Sequence, residues 1–187
     1  MINCQIIEYK DAHHVAFRDL NVEWLDRYNL KESHDLQILD DPNGTILKRG
    51  GYIYLAQVEN QIVGSAALMK EHEHVYELAK MAVAIEYRGM GISKLLLEKC
   101  LEKAKDLKAT KITLFSNHQL KAALGLYEKY GFEHVPVVDS PFLAADVKME
   151  LVLWRNSRKK DNRNDCPFLY SENKLSTLQQ LSPLRGR

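Results

Sequence analysis

The chain predicts an α+β fold, a mixed sheet of about seven strands carrying about four helices, and three observations lead there. Short apolar or alternating stretches follow one another over residues 52–85, the pattern of a β-meander. At residues 77–97 (ELAKMAVAIEYRGMGISKLLL) the hydrophobic period switches from strand to helix across a loop with two glycines. The segments that follow interleave short strands with amphipathic helices, which places helices against a sheet.

Taken in order, residues 4–9 read as a strand. Asp11 can cap a helix on which Phe17, Leu20, Trp24 and Tyr28 mark one face. Ser33 can cap a second, short helix that holds Leu36 and Leu39 and ends at Asp41-Pro42-Asn43-Gly44. Beyond Gly50-Gly51 come three strands, 52–58, 62–70 and 75–85, the first two joined by Glu59-Asn60-Gln61. Ile92, Leu95, Leu96, Cys100, Ala104 and Leu107 then recur at helical spacing. A strand at 110–115, a helix at 119–130 and strands at 132–138 and 145–153 complete the order. The sheet is antiparallel at its start.

A length of 187 residues suits one domain, here 1–154, with a substantial core. The 26 basic and 25 acidic side chains leave a net charge of +1, which argues against nucleic acid or a membrane surface as the partner. Cys4, Cys100 and Cys166 are odd in number and lack CxxC spacing, as reduced thiols of a cytoplasmic protein would. The first residues have no basic-then-apolar leader, and no apolar run is long enough to span a bilayer. Composition shifts at Arg155. Residues 155–187 are polar and basic, expected to be a disordered tail, with a docking arm built on Arg158-Lys159-Lys160 and Phe168-Leu169-Tyr170 as the other reading.

A helix entered through glycines exposes unpaired backbone N–H groups, and its dipole adds positive charge at that end, so it suits a phosphate-bearing ligand. Two designs fail on particulars. A P-loop needs Gly-Lys-Ser/Thr, whereas Gly91 is followed by Ile92-Ser93-Lys94. A dinucleotide fold needs a third glycine at 94 and a carboxylate after the next strand, where Ser116-Asn117 stand instead.

The third design fits. Glu86-Tyr87-Arg88-Gly89-Met90-Gly91, followed by Ile92-Ser93-Lys94-Leu95-Leu96, resembles motif A of the GNAT superfamily of acyl-CoA-dependent N-acyltransferases, whose pyrophosphate loop reads Gln/Arg-x-x-Gly-x-Gly/Ala. Glu86 departs from that pattern, which removes a side-chain contact and leaves the backbone donors. Downstream, the stretch Ala123-Leu124-Gly125-Leu126-Tyr127-Glu128-Lys129-Tyr130-Gly131-Phe132 is similar to the family's motif B. The resemblance spans about residues 3–153 and implies the GNAT fold, a three-layer αβα arrangement with the same order of elements. It implies an N-acetyltransferase that moves the acetyl group of acetyl-CoA, a co-substrate, to a primary amine by direct attack in a ternary complex. The acceptor would be a small molecule or a protein, no metal is needed, and a homodimer is compatible. Cofactor contacts fall on the backbone of Met81, Ala82 and Val83 and on Arg88, Gly89, Met90, Gly91, Ile92 and Ser93. The asparagine that many members place seven residues before Tyr127 is here Leu120, and Asn117 is the expected substitute.

Acyl transfer needs a neutral amine and a proton for the leaving thiolate. An amine of pKa about 10.4 is roughly 0.04% neutral at pH 7, so deprotonation costs on the order of 4–5 kcal/mol. Glu77, on the strand feeding the loop, is the candidate base, as a glutamate at the matching place is in some members; the other reading is a solvated carboxylate at a strand start. Tyr127 is the candidate acid, a role compatible with packing of its helix. No cysteine lies within either motif, so no acyl-enzyme is expected. His72 and His74 form HEH and not HExxH, against a metal. The resemblance puts the acceptor between residues 17–34 and 135–146, where Glu23, Asp26 and Asp35 could draw a cation and Trp24 and Tyr28 could stack on it. The rival reading is a non-catalytic acyl-CoA-binding or regulatory module, which would need the loop but neither Glu77 nor Tyr127.

Overall fold

The computed structural model describes residues 3–138 and 140–153; the tail at 155–187 lies outside the described residues. One mixed sheet contains β1 (Cys4–Glu8), β2 (Tyr52–Val58), β3 (Gln61–His72), β4 (Val75–Val83), β5 (Lys111–Ser116), β6 (Glu133–Val135) and β7 (Val147–Val152). Their spatial order is β1-β2-β3-β4-β5-β7-β6. All neighbours run antiparallel except β4 and β5, which pair in parallel through Val75–Lys111, Tyr76–Ile112 and Glu77–Thr113. Beyond Glu77 the two strands separate. That opening positions the site.

The strand period of two distributes β2 between two helical layers. Ile53 and Leu55 join Phe17, Leu25, Ile38 and Leu39 of α1 (His14–Arg27) and α2 (Ser33–Asp40) in one core. Tyr52 and Tyr54 point the other way, under Lys103 and Lys99 of α4 (Ile92–Asp106), at 4.3 and 5.9 Å from the ring centroids. Ile92, Leu96, Cys100 and Ala104 are buried, as the spacing predicts, whereas Leu95 is exposed. Gly64 allows this helix to lie close: a Cβ there would stand 3.0 Å from Leu96 Cδ1 and 3.2 Å from Ala56 Cβ. The three-layer αβα arrangement is present, completed by α5 (Lys121–Lys129).

The described residues hold five α-helices, not four. The addition is α3 (Pro42–Thr45), in the segment expected to end α2. Proline is well placed at a first helical position, where its missing N–H has no partner to lose, and Asp41 accepts from the N–H of Gly44 at 2.9 Å. Glu32, not Ser33, caps α2. Elsewhere the strands differ in their ends. The 132–138 stretch pairs only over Glu133–Val135.

Candidate active site

β4 contains a bulge that its sequence pattern does not announce. Ser65 of β3 faces Ala82 and Ala67 faces Ala79, so Lys80 and Met81 together oppose Ala66. Lys80 takes the left-handed conformation, φ 51°, which an L side chain adopts only when its surroundings hold it there. The Ser65 hydroxyl donates to the Lys80 carbonyl at 2.8 Å, and Asn21 of α1 donates to Ser65 Oγ at 2.9 Å and to the Phe17 carbonyl at 2.8 Å. The bulge is therefore pinned from behind by a buried polar chain.

A cleft opens where β4 and β5 part. Glu77, Lys80 and Met81 line it from β4, Ser116 and Asn117 from the end of β5, and Leu120, Ala123 and Tyr127 from α5 and its start. Asn21, Trp24, Leu25, Leu30, Glu32 and Asp35 supply the opposite wall, and Phe142 and Ala144 come from the segment joining β6 to β7. The two sequence-expected catalytic candidates thus share one cleft.

Glu77 is 8% exposed, and among the described residues its carboxylate has no hydrogen-bond partner. Burial pushes its pKa up to about 7; Glu71 and Asp35 add to the rise, while Lys80 and Lys148 oppose it. It does not sit in solvent at a strand end: the parallel partner Thr113 covers it on one side and the strands diverge just beyond. Tyr127 is buried, its ring 5.8 Å from Phe132, with the hydroxyl donating to Met81 Sδ at 3.4 Å. Burial raises the phenol further above its ordinary range, so it keeps its proton at neutral pH.

The glycine loop leaves the start of α4 open. Gly89 and Gly91 both have positive φ, 75° and 83°, and a Cβ at either would meet open space. Ile92, Ser93 and Lys94 open α4, where N–H groups have no carbonyl within the helix. The loop residues and the exposed Met90 can therefore hold an anionic group with backbone donors. Arg88 turns away from the loop, donating to the Val83 carbonyl and the Tyr28 hydroxyl, both at 3.1 Å. Ala82 is buried and its neighbours Met81 and Val83 are half-buried.

Asn117 is placed at the cleft, with its side chain already engaged. It donates to the Ala144 carbonyl at 2.7 Å and accepts from the Gln119 N–H at 3.1 Å. Glu32 holds the same segment from the other wall, accepting from the N–H groups of Leu143 at 3.0 Å and Ala144 at 2.7 Å. Residues 142–144 thus form a strap tied at both sides; sequence reasoning missed the role of Glu32, which lies over 100 positions away from the segment it holds.

Of the acidic residues expected to attract a cation, Glu23 bonds Arg27 and Asp26 bonds Lys31 on the outer face of α1. Only Asp35 reaches the cleft. Tyr130 is tied to Glu98 at 2.7 Å. Among the described residues no group of three or more His, Cys, Asp and Glu could hold a metal, and no helix is long and apolar enough to cross a membrane.

Comparison with known proteins gives the family and the fold. The model of the Acetyltransferase (GNAT) family matches residues 13–132. Over 91 residues, 48% of this chain, the sequence is 41% identical to N-acetylaspartate synthetase of Xenopus tropicalis, of which it spans 34%. It is 30% identical over 114 residues to an uncharacterized N-acetyltransferase of Bacillus subtilis, YvbK, covering 59% of this chain and 73% of that protein. The crystal structure of a GNAT-family acetyltransferase from Staphylococcus aureus superposes with a TM-score of 0.75 at 24% identity, over 81% of this chain and 99% of that one.

Proposed function

This chain belongs to the GNAT acetyltransferase family, and from that membership we propose that it moves the acetyl group of acetyl-CoA to a primary amine by direct attack within a ternary complex. The chain is an acyltransferase by its family. The acceptor and the order of events are the proposal. The observation that carries it is Glu77, a buried carboxylate without a hydrogen-bond partner, in the cleft that Tyr127 also lines.

The loop of Gly89, Met90, Gly91, Ile92 and Ser93 would hold the pyrophosphate through backbone N–H groups, whereas the Arg88 N–H is bonded to the Ile85 carbonyl at 3.3 Å, and Met81, Ala82 and Val83 would lie alongside the pantetheine arm of the cofactor. Acetyl-CoA supplies an activated thioester carbonyl when bound there. Glu77 takes the proton of the amine, directly or through a water. A carboxyl at about 7 instead of 4.5 is closer to the amine by over two pH units, roughly 3 kcal/mol of the deprotonation cost. The amine nitrogen then bonds to the acetyl carbon as the carbon–sulfur bond breaks, the electron pair leaving with sulfur. Tyr127, held protonated by burial, donates to that sulfur and is reprotonated through water by the second proton that the acylated nitrogen releases, so the ammonium gives up two protons in all, one to Glu77 and one replacing the proton passed to the thiolate. Asn117, which lines the cleft at the end of β5, supports the strap in this reading and would stand beside the cofactor.

The frog relative's name specifies aspartate, but this chain spans about a third of that protein, so the name alone does not carry the acceptor across. Calorimetric titration with acetyl-CoA and thiol-release assays on Glu77→Gln and Tyr127→Phe test the proposal. Micromolar acetyl-CoA binding retained in both variants, with turnover lost, is the expected result. Unchanged turnover in both would remove these roles and leave the family unaffected.

A further inference from the structure

The lining of the cleft bears on which amine it accepts. Resting on the acetyl-transfer reading above, we propose that the acceptor is a primary amine carried on an uncharged aromatic arm, with no carboxylate beside the amine.

Charge accounts for the exclusion. Among the described residues Lys80 is the only cation that lines the cleft, and its ammonium is held 2.6 Å from Asp35 Oδ1, with the two side chains 5% and 6% exposed. Its other contact is the Phe142 ring, 5.0 Å away. Lys148, outside that lining, lies over Phe115 at 5.2 Å and 3.9 Å from Glu150. Arg88 is turned onto Val83 and Tyr28. Among the described residues that line the cleft no cation stands without a carboxylate partner of its own, and a carboxylate taken from water without a partner is strongly disfavoured. The lining carboxylates lean the other way. Asp35 is satisfied by Lys80 and Glu32 by the strap. Glu77 is unpartnered, more than nine-tenths buried and faces the cleft, so its natural partner is the amine.

The arm follows from the walls. Trp24 on α1, Phe115 on β5 and Phe142 on the strap are half-buried aromatic side chains from three separate elements, and all line this cleft. Phe142 packs 6.2 Å from Phe115. Leu25 and Leu30 complete an apolar wall. An aromatic arm would cover ring surface that otherwise stays partly wet, while the amine reaches Glu77.

The test is thiol release by the full chain with saturating acetyl-CoA and five acceptors: 2-phenylethylamine, L-phenylalanine, L-aspartate, spermidine and a lysine-containing peptide. The expected kcat/KM for 2-phenylethylamine exceeds that for L-phenylalanine by about 100-fold and those for the others by more. L-Phenylalanine or L-aspartate used as well as 2-phenylethylamine, or spermidine or the peptide used better, overturns the inference and leaves acetyl transfer standing. Thiol release with none of the five overturns the acetyl-transfer reading and the inference with it. Trp24→Ala supplies a second arm: KM for 2-phenylethylamine should rise about tenfold with acetyl-CoA affinity unchanged, and an unmoved KM overturns the aromatic-wall assignment.

Discussion

Lys80 Nζ lies 2.6 Å from Asp35 Oδ1, a buried ion pair that ties the bulge of β4 to α2 across 45 positions of sequence. Removing either partner strands a charge in the interior, which is more damaging than removing both. Lys80→Met or Asp35→Leu should each lower unfolding stability by about 3–5 kcal/mol, and the Lys80→Met/Asp35→Leu double variant should recover most of that. Urea unfolding of the four proteins measures the coupling; additive losses would mean that the pair is not linked.

Glu77 makes stability and activity respond to pH in opposite directions. Its carboxyl lies at about 7 in the fold against an ordinary 4.5, so the fold favours the protonated form. Its contribution is complete below about pH 4.5, falls as pH rises and is gone above about pH 7, a change on the order of 3 kcal/mol. Glu77→Gln should remove that slope and be the more stable protein at pH 8, in denaturation curves taken across pH. Turnover needs the ionised form, so wild-type kcat/KM should climb through about pH 7.

Two glycines should answer alanine in opposite ways. Gly91 has φ 83°, so Gly91→Ala should cost about 1–2 kcal/mol in backbone strain even though the added Cβ meets open space. That Cβ would also crowd the anion-binding face, weakening acetyl-CoA binding by about tenfold or more. Gly125 lies inside α5 with open space at its Cβ, so Gly125→Ala should stabilise by about 0.5–1 kcal/mol. Thermal unfolding and calorimetry separate the two effects.

Glu32→Gln tests the strap. The carboxylate accepts from two backbone N–H groups, at 3.0 and 2.7 Å, and an amide can offer only one oxygen. Stability should fall by about 1–3 kcal/mol. The KM for the amine should rise while acetyl-CoA affinity stays the same, since the strap belongs to the acceptor wall. Equal weakening of both ligands would place the strap elsewhere in the cycle.

Local pattern carried much of the fold. The 3.6-residue recurrence of Ile92, Leu96, Cys100 and Ala104 and the glycines at 89 and 91 suffice to read the loop and its helix, because period and φ are properties of neighbouring residues. The short helix α3 was missed because proline there starts a turn of helix as readily as it ends one.

By itself, then, the sequence determined the order of elements, the sheet-and-helix class, the anion-binding loop and two candidate catalytic side chains. Only the tertiary structure decided what those side chains are. ELAKMAV reads as an uninterrupted strand, and the bulge at Lys80 exists only in its register against β3. The Glu77 pKa is raised to about 7 because the fold buries it, and Asn117 is tied to the strap because its side chain donates to the Ala144 carbonyl. Register, burial and pairing join positions far apart in the chain, and no window of local sequence contains the energies that set them.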